Sequence, residues 1–188
     1  LMMKKLYRNI EKWFFILLAF ISCRKIDENG YRTYTIKKGK HRSGYRFSQT
    51  KSNHIEFEVI FDESAEYTSK DSVNQYDVNK LFGLSDCGTN HMENSIRFGW
   101  RWIDNRLQLL WFKHEEGKFT FEPLRYIDIN QSYKCSIEFT EDYYVLGIEG
   151  TYFYVDRPCS QNFTRYYLYP YFGGDETAPH NITIRIKK

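Results

Sequence analysis

The 188-residue chain predicts an all-β fold, an antiparallel sandwich of two sheets. Aromatic residues make up 19% of it, and apolar and polar side chains alternate over much of its length. Such residues at period two suit a half-buried pleated surface. No alternating run is separated from the next by a long amphipathic helix, which removes the crossovers a parallel sheet needs. Roughly ten short strands in a domain of this length read as a sandwich.

The N-terminus is expected to stand outside that domain. "MMKKLYRNIEK" supplies Lys4, Lys5, Arg8 and Lys12, and "WFFILLAFIS" is an apolar run ending at Cys23. A charged region, a short apolar region and a small residue before the cut describe a secretory signal. The run is too short for a spanning helix, which needs about 20 apolar residues. "FISC" resembles a bacterial lipobox, with Phe20 in place of the usual Leu, and implies lipidation of Cys23. The charges of "RKIDEN" directly after it resemble the surface-export tag of Bacteroidetes lipoproteins. The expected organisation is a signal over 1–23, a tether over 24–30 and one domain over 31–188. The address it implies is the cell envelope, lipid-anchored in the outer membrane and displayed outward.

Removing residues 1–23 takes away four of 27 basic and one of 24 acidic residues, leaving 23 of each. The slightly basic balance therefore belongs to the leader. Net charge gives no argument for a nucleic-acid partner.

Within the domain, "YRTYTIKKG" and "SGYRFS" read as the first two strands. "HIEFEVIFD" is clearer, with Ile55, Phe57, Val59 and Phe61 pointing one way. A polar insertion follows, from Glu63 to Asn94, with one helical turn expected around "VNKLFG"; loops of that length are often functional. The centre is a hairpin, "SIRFGWRW" and "RLQLLWFKH", closed at Asp104-Asn105. Its register puts Trp102 opposite Leu107, Trp100 opposite Leu109 and Phe98 opposite Trp111. Those six, with Ile96, form the core face. The reverse face carries Arg97, Gly99, Arg101, Gln108, Leu110, Phe112 and His114, a mixed surface with Arg101 opposite Gln108.

In "INQSYKCSIEFT", Tyr133, Cys135, Ile137 and Phe139 share a face. "DYYVLGIEGTYFYV" is a second hairpin turning at Glu149-Gly150, with Tyr144, Leu146, Ile148, Phe153 and Val155 inside. "RYYLYPYF" and "NITIRIKK" finish the domain, the latter with Ile182, Ile184 and Ile186 inward. Cys87 and Cys159 lie in loop-like surroundings and are expected to pair, leaving Cys135 buried and reduced. No C-x-x-C pairing offers a zinc site.

The order "RFGWRWIDNRLQLLWF … YKCSIEFTEDYYVLGIEGTYFYV" resembles the concanavalin A-like jelly roll of lectins, laminin G-like modules, glucanases and several polysaccharide lyases. The run "KLFGLSDC…ENSIRFGWRW…LYPYFGGDETAPH" is similar to a set of small Bacteroidetes lipoproteins. The first likeness implies the jelly-roll form of the sandwich, and the second supports the envelope address; neither brings an activity.

Chemistry is constrained more by what is missing. Jelly-roll glucanases carry Glu-x-Asp-x-x-Glu on a strand, since a retaining mechanism needs two carboxylates about 5 Å apart. Here Glu56 and Glu58 lack the Asp between. A lyase needs Arg, Asn or Gln to neutralise a uronate carboxylate and His or Tyr as base. Arg97, Arg101, Gln108 and His114 are the right types, and Tyr167, Tyr169 and Tyr171 share a face that offers a phenol. The Gln-Ile-His strand and Tyr-Phe-Lys segment of jelly-roll alginate lyases are both absent. The expected function is non-catalytic binding of a glycan or another surface protein, with Arg97, Arg101, Gln108, Phe112 and His114 as the binding set. The alternatives are a lyase on a uronate glycan, or a surface-complex subunit whose sheet face is covered by another protein.

"GGDETAPH" completes the inventory. Asp175, Glu176 and Glu93, with His91, Asp86 or His180, offer a weak Ca²⁺ alternative, and His91 with His180 a zinc one. The plainer expectation is a corner, with Gly173 and Gly174 giving backbone freedom and Pro179 ending the loop.

Overall fold

The computed structural model describes residues 26–44 and 46–188; the expected leader and its Cys23 lie outside the described residues. Twelve strands build two six-stranded sheets, every neighbouring pair antiparallel. The first sheet runs β1 (Arg32–Ile36), β12 (Ile182–Lys187), β3 (His54–Phe61), β8 (Ser132–Phe139), β9 (Tyr143–Ile148), β10 (Thr151–Asp156). The second runs β2 (Gln49–Thr50), β11 (Arg165–Leu168), β4 (Asn79–Ser85), β5 (Ser95–Ile103), β6 (Arg106–Glu115), β7 (Lys118–Ile127). Half of the ten neighbouring pairs join strands distant in sequence, the long connections of a jelly roll, and half are consecutive.

The core follows from period two. Ile55, Phe57, Val59 and Phe61 of β3 meet Tyr133, Cys135, Ile137 and Phe139 of β8 on one inner face. Ile96, Phe98 and Trp100 of β5, with Leu107 and Leu109 of β6, supply the other. The rings interlock: Phe57 meets Phe82 and Phe98 edge to face at 5.0 and 5.7 Å, and Phe61 lies tilted 5.2 Å from Trp100. Each such side chain contributes about 1.5–3 kcal/mol by leaving water. Trp102 and Trp111 are only half-buried, packed against the margin of this core.

The central hairpin has the register read from the sequence, from Ser95 opposite His114 to Ile103 opposite Arg106. Asp104 and Asn105 both take left-handed φ, 53° and 55°, in a tight two-residue turn. The second hairpin, β9–β10, turns at Glu149-Gly150 as expected.

Several expectations are corrected. "VNKLFG" is not a helical turn. Asn79–Ser85 is strand β4, and Phe82 and Leu84 of it fill the core. A bulge between Lys80 and Gly83 breaks the alternation that would have announced it. The insertion's helical content is instead two 3₁₀ turns, Glu63–Ala65 and Ser72–Tyr76, each capped by an Asp side chain. The described residues of "SGYRFS" are not strand; the short β2 follows them. Strand β7 went unread, because its N-terminal half is exposed on both faces. Residues 27–30 of the expected tether fold into a turn against Tyr31, where Asp27 accepts from the amides of Asn29 and Tyr31.

The glycine-rich corner is a brace. A Cβ on Gly173 would sit 2.2 Å from the Val78 carbonyl oxygen and 2.5 Å from Lys80 Nζ, so only glycine lets the loop lie against β4. Its amide donates to the buried Asn79 side chain at 2.8 Å. Glu176 accepts from the amides of Lys70 and Asp71, both at 2.9 Å, and from Asn74 Nδ2 at 3.0 Å, pinning the second 3₁₀ turn.

Candidate functional site

The face of β5 and β6 turned away from the core divides into two parts. At the Asp104-Asn105 end, Arg101 Nε donates to Gln108 Oε1 at 2.8 Å, and Arg101 Nη1 donates to the Tyr76 carbonyl at 2.9 Å. The 3₁₀ turn held by Glu176 thus ties down Arg101, and Gln108 is buried beneath. Arg101 Nε and Nη1 and Gln108 Oε1 are thereby engaged within the pair and with the loop.

At the opposite end the structure gathers Arg97, Phe112 and His114. Arg97 is 6% exposed and lies opposite Phe112, its guanidinium carbon 5.9 Å from the ring centre. Across β4, Gly83 pairs with it, and a Cβ on Gly83 would sit 2.4 Å from Arg97 Cβ. That bare backbone is what lets β4 lie close against β5 at Arg97. Among the described residues Arg97 has no carboxylate partner, and its buried Nε has no hydrogen-bond acceptor. Burial pushes its pKa down to about 10, so it stays charged at neutral pH.

Lys80 of β4 sits beside it, with Nζ 4.4 Å from the centre of the Phe112 ring and 2.7 Å from the Val78 carbonyl it donates to. Burial and the nearby Arg97 push its pKa down to about 8. His114 is buried; desolvation first, then Arg97, push its pKa down to about 4, leaving a neutral imidazole.

Next to Arg97 opens a groove of about 370 Å³ whose walls include Arg42, Arg46, Phe47, His91, Tyr166 and Tyr171. No Asp or Glu is among its lining residues. Tyr166 accepts from the His91 amide, and its hydroxyl lies 3.2 Å from His91 Nδ1. Since the phenol oxygen already accepts, its proton is available to Nδ1 of a neutral His91. Burial, reinforced by Arg97 and Arg42, keeps the pKa of His91 below the usual value. Phe47, 63% exposed, stacks on Tyr166 with ring centres 6.0 Å apart, and His41 stacks on Tyr171 at 5.2 Å. Of the three tyrosines expected to share a face, Tyr167 and Tyr169 pack toward the core. Strand β11 ends at Leu168, and the chain bends at Pro170, which brings Tyr171 round beside β4 to pair with Lys80.

His91, Tyr166, Arg42, Arg46 and Lys80 were not in the expected set. Arg42, Arg46 and Phe47 stand in "HRSGYRFS", whose interleaved basic and aromatic residues were the available signal. His91 and Lys80 gave none, because only the β4–β5 pairing carries them to Arg97.

The residues weighed for a metal do not assemble. Glu176 is occupied by the turn it pins, and Glu93 lies beside Gly117 in the β6–β7 turn, at the other end of the hairpin. His180 Nε2 is 2.8 Å from the Ser64 carbonyl. Asp86 is fully buried between two arginines: Arg157 Nε at 2.7 Å and Arg165 Nε at 3.0 Å. The only cluster of metal-ligating types among the described residues is Asp86 with Cys87 and Cys159, and those cysteines are bonded to each other. Cys135 is free and buried.

No protein-family model matches the chain, and no curated protein matches it. Solved structures do. The alginate lyase AlyC3 aligns with a TM-score of 0.62 and 10% identity, over 89% of this chain and 76% of that one. The catalytic domain of an endo-1,3-β-glucanase (laminarinase) from Thermotoga petrophila aligns at 0.55 and 15%, over 85% and 76%. A functionally unknown protein from Saccharomyces cerevisiae aligns at 0.54 and 14%, over 86% and 87%. Identities this low bear on architecture alone. With the two six-stranded sheets, they make this chain a concanavalin A-like jelly-roll sandwich.

Proposed function

We propose that the protein binds an anionic glycan, with a uronate carboxylate held by Arg97 in the groove between β5 and β11. The carrying observation is a buried guanidinium with no carboxylate partner, at a groove lined by further cations and no acid. An unpaired buried charge is costly, and a ligand carboxylate both neutralises it and accepts its free N–H groups in planar fashion. Phe47 and the tyrosines give flat surfaces for sugar faces, and Arg42 and Arg46 suit further carboxylates along a polymer. Solved structures of the same fold act on glycans; one of AlyC3 holds dimannuronate. Held by a lipid at Cys23, such a binder would retain a polysaccharide at the cell envelope.

One observation favours a second reading, β-elimination. The Tyr166–His91 pair stands beside the proposed carboxylate site, where a phenol can move a proton once Arg97 has neutralised the carboxylate. A polysaccharide array carrying uronate and neutral polymers tests both. Binding predicts retention on uronates that Arg97→Ala abolishes; elimination adds an ultraviolet-absorbing unsaturated product that Tyr166→Phe abolishes while retention persists. Equal retention of neutral and uronate polymers would refute the proposal, and no ultraviolet product across the panel would remove the second reading.

A further inference from the structure

Strand β7 is a free edge. It pairs only with β6, and it is the longest of the edge strands at 10 residues. Edges are normally blunted by proline, bulges or charges. Here those devices sit in the C-terminal half: Pro123 occupies position 123, and the ladder slips where Leu109 and Leu110 face Arg125 and Pro123. Residues 118–122 remain a regular ladder with every side chain exposed. Phe119 and Phe121 are 60% and 37% exposed, on the same face as Phe112. The three rings lie nearly parallel, with Phe112 5.5 Å from Phe119 and 6.2 Å from Phe121.

The segment reads "KFTFE". Laid antiparallel on itself about Thr120, it sets Lys118 opposite Glu122 at both ends, Phe119 opposite Phe121 twice, and Thr120 opposite Thr120. Each opposed pair is favourable across an antiparallel ladder: unlike charges, aromatic with aromatic, and threonine with threonine. The edge strands of the other sheet, β1 with "RTYTI" and β10 with "TYFYVD", have no such charge match.

We propose that two copies of the chain associate by antiparallel pairing of their β7 strands over residues 118–122. The symmetry is an isologous two-fold with its axis perpendicular to the sheet. Six strands from each copy then form one continuous sheet. The outward faces lie on the same side of it, and the exposed phenylalanines meet at the seam. The interface is independent of the glycan reading, since none of its residues lines the groove.

Charge reversal tests this in the purified chain by sedimentation velocity. The wild type is expected to show a concentration-dependent monomer–dimer equilibrium. Lys118→Glu and Glu122→Lys each place like charges opposite one another at both ends and weaken self-association at least about tenfold. Mixing these two variants restores unlike charges at both ends, so the mixture regains a dimer containing one of each. Far-ultraviolet circular dichroism should be unchanged, because both side chains are exposed. A wild type that stays monomeric up to near-millimolar concentration would overturn the proposal. So would reversed variants that dimerise as well as the wild type, or a mixture that does not reassociate.

Discussion

Two arginine environments separate support from recognition at the scale of single residues. Arg157 and Arg165 clamp Asp86 at the end of β4, beside the Cys87–Cys159 link, and further donate to backbone carbonyls of Thr140, Gln161 and Ser52. Removing the shared carboxylate strands two buried cations. Asp86→Asn is expected to cost about 3–5 kcal/mol in urea unfolding. Arg97 is the opposite case, a buried cation whose desolvation penalty no carboxylate of the described residues offsets. Arg97→Ala should therefore leave stability unchanged or raise it while ligand affinity falls. His114 gives a pH dependence. Its folded pKa, about 4, lies below the ordinary value of 6.5, so the unfolded chain binds more protons in between. Stability contributed by the neutral ring is fully present above pH 6.5 and is lost as pH falls toward 4. The loss at the lower limit is about 3 kcal/mol, and His114→Phe, among the rings of Phe112 and Phe119, should flatten that slope of unfolding free energy against pH.

Elements show which inferences sequence could support. The β5–β6 hairpin was legible to the residue, because a two-residue turn fixes register and register fixes which face each side chain takes. The same reasoning named Arg97, Phe112 and His114 correctly as neighbours on the outward face. It also placed Arg101 opposite Gln108, but nothing local reveals that the 3₁₀ turn at 72–76 takes a bond from Arg101. It failed for β4, where the bulge at Lys80–Gly83 disrupts the period, and for β7, whose exposed half shows no buried face. Close backbone approaches are similarly silent in sequence. Gly173→Ala forces the corner off β4 at Val78 and displaces Lys80 Nζ, so it should lower stability and glycan affinity together. Gly83→Ala intrudes on Arg97 and the Ile96 carbonyl, and equilibrium dialysis with a uronate oligomer should show weakened binding.

Over the whole molecule, charge is balanced in number but not in place. Residues 24–188 carry 23 basic and 23 acidic residues, yet the groove beside Arg97 draws only from the basic set. Composition alone therefore concealed the cationic groove, which forms only when Arg42, Arg46 and Phe47 are brought together with His91, Arg97 and β11. Screening should weaken attraction between such a groove and a charged polymer, and the ligand's carboxylate is the group that distinguishes electrostatic recognition from simple sugar stacking. The most direct measurement is calorimetric titration with one polyuronate before and after chemical reduction of its carboxyl groups. The account predicts that reduction weakens binding by about 30-fold or more, corresponding to about 2 kcal/mol for a buried charged contact, and that Arg97→Ala binds both polymers equally weakly. Undiminished binding of the reduced polymer by the wild type would contradict it.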